Sequence, residues 1–171
     1  MYQPLSNEYP PFFQPYISMV GNMEINRKLK NQLNAIDDFF VDIPEEKRDF
    51  AYSEGKWTIK QVLAHLIDTE RVMVYRAMRF SKNDATPLEG FDQDAFVANT
   101  DVDAASYNDL VDEFLVLRQA HLYFFKSLKD ADCKKKGISN GHSVSVGALL
   151  YIIAGHADHH IKIIKERYLN T

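Results

Sequence analysis

The sequence predicts an all-α protein with a four-helix bundle, and three observations lead to that fold class. Four segments carry apolar residues at the three- and four-residue spacing of amphipathic helices. No segment shows the apolar–polar alternation of a convincing strand. Two long connections separate the periodic segments, as they do in bundles with crossover loops. The chain has 171 residues, which suits one domain with a substantial core, and we expect residues 1–171 to form it.

The composition is that of an ordinary globular protein, with 46% hydrophobic and 26% charged residues. The net charge is −4 and the two signs are mixed along the chain, which argues against nucleic acid as a partner. The single cysteine, Cys133, permits no internal disulfide and fits a reducing compartment. The N-terminus lacks a signal peptide pattern, and no apolar run would span a membrane. We therefore expect a cytoplasmic protein without a membrane partner.

Residues 1–20 precede the first periodic segment and are rich in proline and aromatic side chains. The prolines oppose regular structure. The aromatic side chains favour packing on the domain over a role in lining a substrate site. We therefore predict an arm that packs on the bundle.

The first and second helices are marked by caps and by apolar stripes. Asn22 is a candidate N-cap for the first helix, which carries Ile25 to Phe40 at helical spacing and ends near Asp42. Residues 44–47 predict a single turn with proline at its start. Thr58 is the predicted N-cap of the second helix, which extends to about Ser81.

A long irregular stretch, residues 83–103, follows and should contain one short helix near residues 93–97. Ser106 marks the start of the third helix, with Asp109 three residues later as in a capping box. In the polar segment 130–142, the run from Lys134 to Lys136 indicates a solvated loop rather than a phosphate site. Ser145 is the predicted N-cap of the fourth helix, whose apolar stripe continues to Ile164.

Three histidines are candidate metal ligands. His156 and His160 are four residues apart, so they share one face of the fourth helix and continue its buried stripe. Two imidazoles at that spacing are a common way to present two nitrogens to one metal ion. His65 lies at the edge of the apolar stripe of the second helix. Helices of a bundle bring such side chains together in the core, although three bundle histidines without a metal would give the same pattern.

Four segments of the sequence carry a family resemblance. They are KWTI at 56–59, HLIDTER at 65–71, FDQDAF at 91–96 and GHADHH at 155–160. In order and spacing these segments resemble the DinB-like superfamily, which includes the YfiT-type candidates for metal-dependent hydrolases. The resemblance covers about residues 9 to 169.

The resemblance implies an up-up-down-down bundle that is often dimeric, with a divalent metal on His65, His156 and His160. From the resemblance and the aromatic-rich composition we predict a homodimer, with the first or third helix in its interface. Some relatives are thiol-dependent transferases or isomerases. Many members carry glutamine three residues after the second histidine of the pair, where this chain has Ile163. A polar contact near the site is therefore expected to be missing.

The remaining polar residues near the histidines have two interpretations. Asp68 and Glu70 would accept a hydrogen bond from a ligand histidine, or they are solvated carboxylates. His159 is a surface or supporting residue rather than a ligand, because it lies off the stripe of His156 and His160. Trp57 is more typical of a side chain that fixes the start of the second helix than of a substrate contact.

Three histidine ligands leave a coordination position open, which suits a catalytic zinc or nickel ion. Such an ion would activate a water molecule or a thiolate. The sequence therefore predicts either an enzyme that transfers a low-molecular-weight thiol or hydrolyses a small-molecule substrate, or a non-catalytic metal-binding bundle with a stress or interaction role.

Overall fold

The computed structural model describes residues 2–170 and contains eight α-helices, one hairpin, a 3-10 turn at Pro11–Phe13 and a π-helical segment at Lys165–Leu169. The helices are Gln14–Val20 (α1), Ile25–Val41 (α2), Glu45–Arg48 (α3), Ile59–Ser81 (α4), Gln93–Asn99 (α5), Tyr107–Ser127 (α6), Asp130–Cys133 (α7) and Val146–Ile164 (α8). The strands are Lys136–Ser139 (β1) and His142–Ser145 (β2). The four long helices α2, α4, α6 and α8 form the bundle, which confirms the predicted fold class.

Short polar side chains define where the long helices begin. Thr58 and Gln61 form a reciprocal capping box at the start of α4, and Ser106 and Ser145 cap α6 and α8 as predicted. The predicted cap of α2 is wrong. Glu24 rather than Asn22 accepts hydrogen bonds from the first main-chain N–H groups of α2, because the helix begins only at Ile25.

The helix directions differ from the implied up-up-down-down order. The Tyr107 hydroxyl donates to the Phe40 carbonyl at 2.8 Å, which places the start of α6 beside the end of α2. The Tyr168 hydroxyl donates to the Trp57 carbonyl at 2.8 Å, which places the end of the chain beside the start of α4. Thus α2 and α8 run one way, and α4 and α6 run the other.

Two hydrophobic clusters explain why α4 runs opposite to α2. The end of α2, the start of α4 and Ile43 between them pack in one cluster, so the connection turns the chain back instead of crossing the bundle. The second cluster lies at the opposite end of the bundle and holds the start of α2, the end of α4 and the first half of α8. Each bundle helix contributes to both clusters, with α2 diagonal to α4 and α6 diagonal to α8.

The N-terminal arm forms a helix in spite of its prolines. A 3-10 turn at Pro11–Phe13 leads directly into α1, and Pro15 is tolerated in the first turn of that helix because its missing N–H needs no partner there. Helix α1 packs against α8, where Gly155 makes the close approach possible. A Cβ atom at Gly155 would lie 2.0 Å from the Tyr16 carbonyl oxygen.

The polar segment 130–142 and the residues that follow it contain a hairpin that the sequence does not predict. Lys136–Ser139 and His142–Ser145 pair as an antiparallel hairpin, with Asn140 and Gly141 at positive φ in its turn. The strands are only four residues long, and the polar composition hides their alternation. The hairpin tip is anchored by the long connection, because the Asn140 N–H donates to the Leu88 carbonyl at 2.9 Å.

The long connection between α4 and α6 contains the short helix that the sequence predicts. Asp92 caps α5 by accepting from two main-chain N–H groups, and α5 packs against α4. Between residues 2 and 170, no helix combines the length and the apolar character that a membrane crossing requires.

Candidate metal centre

His65 lies in the first half of α4 and is almost fully buried. The capping box at Thr58 and Gln61 fixes the start of this helix, and the apolar stripe of α4 then turns the His65 ring toward α8. Its Nδ1 lies 3.4 Å from the Thr69 hydroxyl oxygen, one turn later. A proton on Nδ1 donated to that oxygen leaves the Nε2 lone pair free for a metal ion.

The other two histidines lie on α8, which runs antiparallel to α4. His156 is buried and His160 is partly exposed. Their Nε2 atoms are 3.1 Å apart, as expected for side chains one helical turn apart that face the same point. The His65 Nε2 atom lies 3.0 Å from that of His156. The structure therefore brings the three predicted ligands together, with one ligand atom from each within 4.8 Å of the others.

Hydrogen bonding alone does not account for this arrangement. The His156 Nε2 atom faces two other Nε2 atoms, yet a neutral ring nitrogen carries either one proton or one lone pair. A single cation between the rings would satisfy three lone pairs at once. A tetrahedral ion with bonds of about 2.0–2.1 Å holds its nitrogen ligands roughly 3.3 Å apart, close to the spacing of the two short pairs. The three side chains therefore fit a divalent metal ion.

Burial keeps the three rings neutral. It lowers the pKa of His65 to about 4 and that of His160 to about 3. The pKa of His156 falls well below its usual range because of burial, with a further contribution from its two histidine neighbours. Since only a neutral imidazole binds a metal, the cluster is ready for binding at neutral pH.

We expect the metal-free protein to lose stability as the pH falls below about 6.5, the ordinary pKa of histidine. Below that pH the unfolded chain binds protons that the folded cluster excludes, so acid favours unfolding. The window extends down to the folded pKa values of about 4 and 3. In this window, each histidine that stays neutral in the folded protein lowers the free energy of unfolding by about 1.4 kcal/mol for every pH unit.

Urea unfolding at a series of pH values in the presence of a chelator measures this slope. The substitution His65→Gln should make the slope shallower. The control is His142→Gln, which replaces an exposed histidine outside the cluster. An unchanged slope in His65→Gln would contradict the assignment.

Two aromatic side chains enclose the histidines. The Trp57 ring lies 4.8 Å from the His65 ring, centroid to centroid. The Tyr16 ring meets the His156 ring edge-on at 5.4 Å. The sequence favours a role for Trp57 at the start of the second helix over a substrate contact, and for the aromatic residues of segment 1–20, which include Tyr16, it favours packing over a substrate-lining role. The position of Trp57 directly before the cap of α4 was the available signal, whereas nothing in the sequence places α1 against α8.

The predicted supporting residues have other partners. Asp68 forms an ion pair with Arg71 at the surface. Glu70 binds Arg118 and His121. His159 packs edge-on against Tyr16 and contacts His160 through its ring, without a hydrogen bond to a candidate ligand. The structure therefore places none of the three as a hydrogen-bond acceptor for the cluster.

A buried polar network lies beside the histidines. Arg118 donates to both carboxylate oxygens of Glu70, at 2.9 Å from Nε and 2.7 Å from Nη2. Its Nη1 donates to the side chain of Gln32 at 3.0 Å. Gln32 in turn donates to Asp158 of α8, which also pairs with Lys28. The network links α2, α4, α6 and α8 at the level of His156.

The charge of Glu70 is maintained by this network. Burial by itself would raise the pKa of the carboxyl group, but the charge of Arg118 and the hydrogen bonds from Arg118 and His121 outweigh it, so the pKa is lowered. Glu70 is thus ionised at neutral pH, and its charge balances that of Arg118.

Two cavities adjoin the cluster. One has a volume of about 200 Å³ and is lined by His65, His156 and Tyr16, together with residues of the long connection and the hairpin. The other has about 210 Å³ and is lined by His160, Trp57 and Asp94. An ion held by the three histidines would therefore face space for a small molecule.

Comparisons with known proteins agree with this architecture. The model of the DinB superfamily matches residues 28–164. A protein of Bacillus licheniformis is 31% identical over 131 residues, which cover 73% of this chain and 72% of that protein, and its name marks it as a candidate metal-dependent hydrolase.

A solved structure is also similar. YfiT from Bacillus subtilis, described as a probable metal-dependent hydrolase with an unusual four-helix bundle topology, has a TM-score of 0.75 and 19% sequence identity. The match covers 83% of this chain and 82% of that one, and it supports the fold. By the family model and the Bacillus licheniformis relative, the chain belongs to the DinB superfamily.

Proposed function

We propose that this protein is a metal-dependent enzyme that hydrolyses a small molecule, with a zinc or nickel ion on His65, His156 and His160. The observation that carries the proposal is the convergence of three imidazole nitrogens, those of the buried His65 and His156 and of the partly exposed His160, beside a cavity of about 200 Å³. A site with three protein ligands keeps a position for water or substrate, which distinguishes catalytic from structural zinc sites. The names given to the similar proteins of Bacillus licheniformis and Bacillus subtilis, both as candidate metal-dependent hydrolases, support hydrolysis.

When bound, the ion would act as a Lewis acid toward water or toward a polarised group of the substrate. Three properties of the surrounding side chains would prepare the histidines for this chemistry. Burial keeps the histidine rings neutral and aligned. The Thr69 hydroxyl would accept from the His65 Nδ1 in the tautomer that binds a metal through Nε2, and Trp57 and Tyr16 cover the rings and limit the access of water.

A second candidate reaction is the transfer of a low-molecular-weight thiol to an electrophile. The observation in its favour is the absence of Asp and Glu from the described residues that line the cavity at His65 and His156. Hydrolases of this kind commonly use a carboxylate as general base. A thiol activated by a metal ion attacks as the thiolate and does not need that base.

The alternative to an enzyme is a non-catalytic metal-binding bundle. That role is compatible with the cluster of three histidines. It gives no reason for the cavities that adjoin His156 and His160, whereas an enzyme requires such space for its substrate.

The test begins with metal analysis of protein purified without a polyhistidine tag. We expect about one divalent ion per chain, and we expect a chelator to remove it. The protein should then be assayed on ester and amide panels and on thiol–electrophile pairs, before and after restoration of zinc or nickel. Metal-dependent activity on esters or amides would support hydrolysis, and activity only with a thiol would favour transfer. If the protein binds the ion but converts no compound in either panel, the non-catalytic role would be favoured. If the protein binds no metal, the proposal would be contradicted.

A further inference from the structure

Arg76 is a buried cation in the wall of the cavity beside His65 and His156. Its side chain belongs to the buried polar set of the protein, with 5% of the residue exposed. Yet among residues 2–170 no carboxylate forms an ion pair with it. The other buried arginine, Arg118, is neutralised by Glu70. An unpaired buried guanidinium is costly, so its place in a cavity wall needs an explanation.

The contacts of Arg76 leave most of its hydrogen-bonding capacity unused. Its Nη2 donates to the main-chain carbonyl of Glu89 at 2.8 Å, and its Nη1 lies 3.7 Å from the sulfur of Met73. The guanidinium also lies 5.9 Å from the centre of the Phe91 ring. All three contacts are neutral. Since a guanidinium carries five N–H donors, several remain for a ligand.

Arg76 lies on the same side of α4 as His65. The stripe His65, Thr69, Met73 and Arg76 repeats at intervals of four, four and three residues, and all four residues line the cavity. Eleven residues correspond to about 16 Å along the helix axis. Helical side chains lean toward the helix N-terminus, and the contact with Met73 shows that Arg76 does so. Its head group thus lies on the side facing the histidines.

We propose that Arg76 binds the carboxylate group of the substrate, whose reacting group then lies at the three histidines. The inference rests on the proposed function, since it assigns the substrate class of the same site. Among the described residues of the cavity wall, Arg76 is the one permanently charged side chain. A single positive charge balances a carboxylate and would leave a phosphate dianion half compensated. The neutral side chains Gln93, Ser139 and Asn140 also line this cavity and complement a polar ligand.

A purely structural role for Arg76 accounts for fewer of these contacts. The hydrogen bond to the Glu89 carbonyl does fasten the long connection to α4. A neutral donor such as glutamine would serve that purpose without burying a charge. Burial lowers the pKa of Arg76, which reflects the desolvation that an anionic ligand would offset.

The test uses the cobalt-substituted protein and pairs of thiols of equal chain length. In each pair one thiol ends in a carboxylate and the other in an alcohol, and the thiolate–cobalt absorption band reports binding without turnover. For the chain length that spans the cavity, we expect the wild type to bind the acid about 10- to 100-fold more tightly than the alcohol. In Arg76→Gln that preference should disappear while the affinity for the alcohol is unchanged. Arg76→Lys should retain part of it, because the charge remains but the planar fork is lost.

A matched control is available on the same helix. Arg71 is partly exposed and pairs with Asp68 and Glu113, so Arg71→Gln removes the same charge at the surface and should keep the preference for the acid. Equal binding of acid and alcohol by the cobalt-loaded wild type at every chain length would overturn the inference, and this comparison requires no variant to fold.

A separate measurement applies if the three histidines do not bind a metal ion. If cobalt does not bind, the thermal stabilisation of the metal-free protein by the same acids is measured. Stabilisation of the wild type but not of Arg76→Gln would then support the carboxylate site and contradict the proposed metal function. Equal stabilisation of both would overturn the inference as well.

Discussion

Replacing His156 or His160 by alanine is expected to abolish stoichiometric metal binding. Each substitution removes one of three ligand nitrogens that face a common point, with Nε2 atoms 3.0 and 3.1 Å apart in the two short pairs. No other His, Cys, Asp or Glu among residues 2–170 joins this group. We therefore expect a loss of affinity larger than the 10–100-fold that removal of a supporting contact typically costs. Titration of zinc into the metal-free proteins near pH 7 measures it.

His159→Ala is the matched control, since it removes an imidazole from the same turn of α8. The His159 ring packs against Tyr16, and its substitution should leave the three ligand nitrogens in place. We expect one ion per chain, with at most about a 100-fold loss of affinity. If His159→Ala abolished binding and His160→Ala retained it, the ligand pair on α8 would instead be His156 and His159.

The second large effect is expected at the buried ion pair of Glu70 and Arg118. Arg118→Met leaves the Glu70 carboxylate buried with only His121 as a partner. Loss of one member of a buried pair typically costs about 3–5 kcal/mol, because the remaining charge is desolvated and uncompensated. Urea unfolding of the metal-free protein should show a decrease of this size in the free energy of unfolding.

Two comparisons separate the buried charge from the loss of packing. The double variant Glu70→Leu with Arg118→Met removes both charges and should be more stable than Arg118→Met alone. Arg71→Gln breaks ion pairs that are partly exposed and should cost no more than about 1 kcal/mol. An Arg118→Met protein that is as stable as Arg71→Gln would show that the network contributes little to folding.

The helices of the bundle could be predicted from the sequence because their signals are local. Apolar residues three and four positions apart share a helix face whatever the rest of the chain does, so the stripes of α2, α4, α6 and α8 were visible. The caps Thr58, Ser106 and Ser145 act within three residues of themselves, and the structure confirms all three. The spacing of His156 and His160 likewise fixes their common face.

Other features depend on contacts between distant parts of the chain. The direction of the second bundle helix depends on where Ile43 packs, and the hairpin at 136–145 gains its place from the Leu88 carbonyl. Glu70 binds Arg118, which lies forty-eight residues later in the sequence. This contact makes Glu70 part of the buried network rather than a support for His65. Short-range patterns carry no information on such pairs, because the partner is selected by packing.

The sequence by itself thus determined the helices, the histidine spacing and the class of metal that three imidazoles suit. Only the tertiary structure decided what surrounds those histidines. It placed Trp57 against His65 and Tyr16 against His156, and it left Arg76 without a carboxylate in the cavity wall. The physical reason is that helix propensity and ligand spacing operate within a few residues, whereas desolvation and charge compensation depend on every chain segment that covers a group.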